Sequence, residues 1–317
     1  MSTTQQYTTT TGQTVDLPPH EEYYKRLVTR NAGVVPPDEQ RRIREARILV
    51  AGCGSIGGSV IEPLIRFGAE HLTLAEPDGY DFHNMNRQSV RLQDMGVNKA
   101  AAFQTRLKDV NPYATIEVEP HGITDDNVVT LVKNSDLILD GVDVTNKPPL
   151  YAKYALHHQA KEFKVPVISG YDIAGLQLLL VYDYRNPAMP VLNGKLRREE
   201  LDALEPMTFL HRIVPTWLLP YEIIEILHHQ FRNPSAGFPQ VVYTANLFGA
   251  MAMRAGADIL MSRPVKHLVH FDVHDVMRPL PQRLALHVKR VVGLIKLYID
   301  FKKRFAEESA KTQQPAG

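Results

Sequence analysis

An α/β fold, built on a doubly wound and mostly parallel sheet, is what this sequence predicts, and three features carry the prediction. Between Arg47 and about Leu180 short apolar runs alternate with stretches of helical spacing, the order that sets parallel strands between covering helices. A glycine-rich turn, Gly52-Cys53-Gly54-Ser55-Ile56-Gly57, joins the first run, Arg47 to Val50, to the first helical stretch, Ser59 to Phe67. A second run, Leu72 to Ala75, ends at Glu76, roughly 20 residues beyond the glycines, the spacing of a ribose-binding acid.

Strand, glycine turn and helix in this order make a Rossmann-like nucleotide fingerprint. Gly52 and Gly54 let the backbone turn tightly and approach a phosphate, and Gly57 lets the helix lie close to the strand. The N–H groups that open the helix, at Ser55 and Ile56, then face the anion. Up to Glu76 an NAD-dependent enzyme fits equally well. The next segment favours another chemistry, because Asp78, Asn84, Arg87, Gln88 and Lys99 follow within a short stretch. A site that cleaves ATP must stabilise a leaving group as well as bind phosphates, and Arg87 and Lys99 are the residue types for that task.

At these positions the chain resembles the ThiF/MoeB/HesA superfamily of adenylating enzymes, which are related to ubiquitin-activating enzymes. The matching segments are Glu76 to Asp78, Asn84, Arg87-Gln88, Gly96 to Lys99 and Leu139-Asp140-Gly141-Val142-Asp143, in the family's order. The resemblance implies that Glu76 holds the ribose, that Asn84, Arg87 and Lys99 contact ATP phosphates, and that Asp143 binds Mg2+. It implies that Gln88 and Asp78 shape the same pocket. It also implies a homodimer in which Arg30, rather than Arg26, reaches the partner's γ-phosphate. Lys164 to Gly170 looks like the family's fifth strand, Ala236 to Pro239 leading into Thr244 to Met261 like its late helix, and Lys266 to Asp272 like its final strand.

Two departures stand out. A structural zinc site of the family's type needs four thiolates, and the chain has one cysteine, so no structural zinc is expected. The crossover between the central strands and the late helix, about 187–237, holds no cysteine for a thioester. Cys53 lies inside the glycine turn and is read as structural. Val144 stands where relatives often carry Asn, and Lys147 is the nearest replacement for a missing Arg.

With 317 residues, 44% of them hydrophobic and 22% charged, the chain is ordinary globular material. A net charge of +1 gives no reason to expect nucleic acid. No apolar run approaches the roughly 20 residues that span a bilayer, and the N-terminus shows no signal pattern, so a cytoplasmic enzyme is expected. Residues 1–20, rich in Thr and Gln, read as a disordered tail, 21–282 as the adenylation domain, 283–308 as an amphipathic helix and 309–317 as a second disordered tail. A charged helical lead-in is broken at Pro36-Pro37, and Thr124 to Asn127 reads as a helix cap.

The insertion from Leu192 to Pro239 holds the only tryptophan, Trp217, and is either a substrate or carrier surface or a packed excursion. His270, Asp272 and His274 alternate along an expected strand and so share a face; an ordinary interface face is preferred to a metal site. The pairs His157-His158 and His228-His229 do not suggest chelation. Over 284–305 a stripe of Leu284, Val288, Val291, Ile295, Tyr298 and Phe305 is flanked by basic residues. Such a helix lies on an anionic membrane or, as preferred here, docks on its own protein or a dimer mate.

The reading that joins these features is ATP-dependent adenylation of a carboxylate, either the C-terminus of a ubiquitin-like protein or peptide or a small acid. No protein nucleophile is required. The alternatives are a catalytically silent subunit of a heterodimeric activating enzyme and an NAD-dependent oxidoreductase; the second leaves Arg87, Lys99 and Asp143 without a role.

Overall fold

A computed structural model describes residues 6–144, 147–204, 206–230 and 239–312, with 206, 207, 229, 230 and 301–312 described by backbone alone. The chain opens with a hairpin in which β1 (Gln6–Thr8) pairs antiparallel with β2 (Thr14–Asp16). The segment expected to be disordered is therefore ordered from Gln6 onward: Thr and Val favour extended backbone, and Gly12, at φ +81°, closes the turn. α1 (His20–Leu27) and α2 (Pro37–Glu45) form the charged lead-in, and Pro37 sits in the first turn of α2, where its missing N–H costs nothing.

The alternating region then runs β3 (Arg47–Ala51), α3 (Ser55–Phe67), β4 (His71–Ala75), α4 (Lys99–Lys108), β5 (Thr115–Glu119), α5 (Val128–Lys133) and β6 (Leu137–Asp140). It continues through α6 (Lys147–Glu162), β7 (Val167–Ile173) and β8 (Leu176–Tyr182). The crossover contributes α7 (Pro206–Ile213) and α8 (Tyr221–Gln230), and the chain ends with α9 (Val242–Leu260), β9 (Leu268–Asp272), α10 (Val273–Met277) and α11 (Leu280–Thr312). The expected Ala236-Gly237-Phe238 lead-in to α9 lies outside the described residues.

The main sheet has the order β5-β4-β3-β6-β7-β8-β9. Its first five strands are parallel and its last two antiparallel, which makes the expected mostly parallel sheet. One core, with Val60, Ile61, Leu64, Phe103 and Phe248, fills the face under α3, α4 and α9. A second, with Val128, Leu156, Phe209 and Ile223, fills the face under α5 to α8. Much of the crossover is therefore packed excursion; Trp217, 60% exposed, is not part of that core.

Three features differ from the sequence reading. β9 ends at Asp272, whose carboxylate caps α10 by accepting the N–H of Asp275 at 3.0 Å. His274 thus lies on a helix and does not share a strand face with His270, and among the described residues no group of three His, Cys, Asp or Glu is placed to hold a metal. The tail helix begins at Leu280, before the expected residue 283. The face it docks on its own chain is not the expected stripe: a Cβ on Gly293 would lie 2.8 Å from Ile224 of α8, and Leu297 is buried. Leu284, Val288, Val291, Ile295 and Tyr298 remain exposed, because the close approach at Gly293 turns the other face inward; the Phe305 side chain lies outside the described residues. No described helix is long and apolar enough to cross a membrane.

After β5 the chain returns past β3 to pair β6 on its other side, so a crevice opens at the carboxyl ends of β3 and β6. Three glycines meet there. A Cβ on Gly52, at φ +83°, would lie 2.5 Å from the Gly141 oxygen; one on Gly57 would overlap the Gly52 oxygen; one on Gly141 would lie 2.7 Å from the Gly57 nitrogen. At Gly54 a Cβ would meet only the Gln88 amide at 3.6 Å, an ordinary contact. Gly57→Ala should therefore cost about 3 kcal/mol or prevent folding, whereas Gly54→Ala should cost under about 1 kcal/mol. Equal thermal denaturation midpoints for the two variants would contradict this packing.

Candidate active site

The crevice is built around the loop from Gly52 to Gly54. Gly54 precedes the first turn of α3, and no side chain caps that helix end, which leaves its opening N–H groups directed at the crevice. Gln88 stands beside Gly54 with its Oε1 buried and unpartnered.

Glu76, at the end of β4, is buried and does two things at once. Its carboxylate accepts the Cys53 N–H at 2.5 Å and the Asp78 N–H at 3.0 Å, which fixes the glycine loop to β4. Lys99 Nζ lies 3.7 Å from Glu76 and 3.4 Å from Asp78. Burial raises the Glu76 pKa above its ordinary value, and Lys99 opposes that rise. Gly96 to Lys99 reaches this acid pair because the chain folds back on itself: Lys99 N–H donates to the Asp78 carbonyl at 3.0 Å, and Asn98 Nδ2 to the Glu76 carbonyl at 2.7 Å. The Cys53 thiol is fully buried, and burial, then the charge of Glu76, pushes its pKa well up, which disfavours the thiolate.

Asn84 is buried, its Oδ1 accepting the Asp81 N–H at 3.0 Å to close the short turn at 82–84. That turn orients Arg87, whose Nη1 donates to the His83 carbonyl at 2.9 Å and to Asn86 Oδ1 at 3.0 Å, while its Nε is buried with no partner. Asp143 is exposed on the loop that follows β6. Glu76, Asp78, Lys99 and Gln88 thus gather around one loop, with Asp143 following the adjacent strand. Arg30 does not join them. It is exposed beside Asn31, whose Nδ2 bonds the Phe67 carbonyl at 3.2 Å at the far end of α3. The 13-residue helix puts the two ends about 18 Å apart.

Sequence reasoning missed the buried cluster under β6. Asp140, with no exposure, accepts from Lys153 Nζ at 2.6 Å and Ser169 Oγ at 2.6 Å, pairs with His157 Nε2 at 3.0 Å, and takes the Val142 N–H at 3.1 Å. The last bond shapes the loop that presents Asp143. The cation held at this strand end is Lys153, not Lys147, whose ammonium bonds the Asp202 carbonyl at 2.9 Å. Lys153 and His157 stand four apart on one helix face, a signal obscured by reading His157 as half of a His-His pair. Gly141 and Asp172 were missed as well: the first lies between two conspicuous acids, and the second is a lone acid in an apolar strand.

Burial alone would raise the Asp140 pKa, yet Lys153 and His157 outweigh it and hold the carboxyl well below the usual range. Because the folded pKa lies below the unfolded one, about 4, this stabilisation is present above that pH and lost only as pH falls through the folded value. Lys153→Met would leave a buried carboxylate without its ammonium, at a cost of about 3–5 kcal/mol, and adding Asp140→Asn should recover part of that loss. Urea denaturation at pH 7 measures both; a Lys153→Met protein as stable as wild type would contradict the assignment.

The chain is similar to known proteins in sequence and in fold. The ThiF family model matches residues 25–181. The sulfur carrier protein adenylyltransferase of Thermus thermophilus is 29% identical over 151 residues, 47% of this chain and 53% of that protein. The chain spans about half or less of the length of the curated relatives it matches. Among solved structures, the fold resembles E. coli tRNA N6-threonylcarbamoyladenosine dehydratase, TcdA, in complex with ATP, with a TM-score of 0.53 and 19% identity over 78% of this chain and 98% of that one. It also resembles E. coli MccB with AMPCPP and MccA, with a TM-score of 0.53 and 15% identity over 74% of this chain and 63% of that one. The glycine loop, Glu76 and the segment from Asp78 to Lys99 all fall inside the matched region, and residues 25–181 of this chain are a ThiF-family domain.

Proposed function

We propose that the chain catalyses ATP-dependent adenylation of a carboxylate, releasing pyrophosphate and leaving an acyl-adenylate. The observation that carries this reading is the set of groups around the glycine loop. An acid at the ribose position, Glu76, stands on one side, and Gln88, beside the segment that carries Arg87, stands on the other, with Lys99 against the acids. Asn84 orders the turn that presents Arg87. The substrate carboxylate attacks the α-phosphate in line, and Arg87 and Lys99 offset the charge that develops on pyrophosphate. Catalysis is then positioning and electrostatics.

Magnesium fits the residues present. It is commonly held by one or two carboxylates together with substrate phosphates, and Asp143 offers one exposed carboxylate beside the crevice. Bound there, the ion would supply charge neutralisation. With Cys53 buried and fixed beneath the loop, the acyl group passes from the adenylate directly to an acceptor outside this chain. The relatives named as sulfur carrier protein adenylyltransferases and the MccB structure with MccA favour the C-terminus of a ubiquitin-like protein or a peptide as the carboxylate over a small acid. We place the enzyme in the cytoplasm.

The enzyme works as a homodimer in this reading, with Arg30 acting in trans, because a residue fixed at the far end of α3 is too distant for the phosphates of its own loop. Calorimetry with Mg-ATP should show magnesium-dependent binding that weakens at least about tenfold in Arg87→Ala and in Asp143→Ala; binding unchanged in both would defeat the site assignment. Mixing inactive Arg30→Ala and Lys99→Ala chains should restore about a quarter of wild-type pyrophosphate exchange, since half the dimers then carry one intact site of two. No recovery on mixing would contradict action in trans.

A further inference from the structure

Asp172 is an acid that the proposed chemistry leaves without a role. It stands near the end of β7, two residues past Gly170, and so on the face that packs against Ile56 and Phe248. It is 7% exposed. Oδ2 accepts the hydroxyl of Ser55 at 3.0 Å, at the first residue of α3, and Oδ1 is closed off from solvent with no partner. Arg87 is near enough for its charge to act on Asp172, yet no ion pair joins the two, and the Arg87 Nε–H is itself buried without a partner. The other elements on this face bring no compensating charge: Gln177, across the strand pair on β8, is neutral, as are Thr244 and Phe248 of α9. His274 lies against Gly175 at the hairpin tip, where it bonds Tyr243 and lies 3.4 Å from Glu222.

An ionised carboxylate at the opening of α3 would repel the phosphate that this helix end attracts. A neutral carboxylic acid would not, and its free O–H would be a donor matching the free N–H of Arg87. We propose that Asp172 acts as a neutral carboxylic acid which donates a hydrogen bond from Oδ1 to a nucleotide phosphate, as a further binding residue of the adenylation site, with Ser55 holding its other oxygen. This rests on the adenylation reading given above. Burial supports it by pushing the Asp172 pKa up to about 7, against the opposing effects of Ser55 and Arg87.

The sign follows from linkage. If only the protonated acid binds phosphate, affinity is highest below pH 7 and falls as the acid ionises, by about tenfold per pH unit well above its pKa. Asn at this position keeps an N–H donor that does not titrate; Ala keeps none. Mg-ATP binding to the full chain, by calorimetry from pH 6 to 9, should weaken with rising pH in wild type, accompanied by proton uptake in buffers of different ionisation enthalpy. Asp172→Asn should bind as wild type does at pH 6 and show a much flatter profile, and Asp172→Ala should bind at least tenfold more weakly at pH 6. A flat wild-type profile, or an Asn variant with the wild-type slope, would overturn the proposal. So would an Asn variant as weak as Ala with an unchanged melting point, which would leave Asp172 only its bond to Ser55. These results leave adenylation standing if Mg-ATP binding remains sensitive to Arg87→Ala. No binding by folded wild-type protein at any pH would overturn both.

Discussion

The contact between three glycine backbones at the carboxyl ends of β3 and β6 is the constraint on which the rest of this molecule depends. Gly52, Gly57 and Gly141 come so close that no side chain fits among them. That closeness brings the opening of α3 against the loop after β6, and so sets the first N–H groups of that helix beside the loop that carries Asp143. Glu76 completes the arrangement from the third strand by taking the Cys53 N–H. The glycine loop and the Asp143 loop are thus registered through backbone contacts, and Glu76 is tied to them through its carboxylate.

Beneath this surface the charges are arranged in two tiers. Asp140, Lys153, His157 and Ser169 are all at or near full burial and satisfy one another, so that tier is structural. The upper tier is incomplete: the Arg87 Nε, Gln88 Oε1 and Asp172 Oδ1 atoms are buried without partners around the same helix end. Unpaired buried polar groups are costly in a folded protein. These three lie beside a helix terminus, which attracts anions.

Local spacing made much of this legible. The turn from Gly52 to Gly57 and the acid at Glu76 could be read because a strand, a tight turn and a helix leave their mark within a few residues of one another. The fold-back of Gly96 to Lys99 onto Glu76 was legible only through the order of a family's motifs, because its cause is a set of backbone bonds that no residue type announces. Asp172 was not legible, since its partner Ser55 is 117 residues away and an acid in an apolar strand does not name what it faces. The tail helix was legible as a helix, whereas the face it turns to its own chain was not. Its apolar stripe was plain, but Gly293 and Leu297, not the stripe, lie against α8. The N-terminal hairpin failed for a related reason, its short strands differing little in composition from a polar tail.

The most direct test of the account is a crystal structure of the full chain with magnesium and a non-hydrolysable ATP analogue. The account predicts the ribose hydroxyls on Glu76, the phosphates over the first turn of α3 within reach of Arg87 and Lys99, and the α-phosphate open to an attacking carboxylate. A nucleotide bound elsewhere, or one whose phosphates point away from α3 and leave Arg87 on the His83 carbonyl, would contradict it.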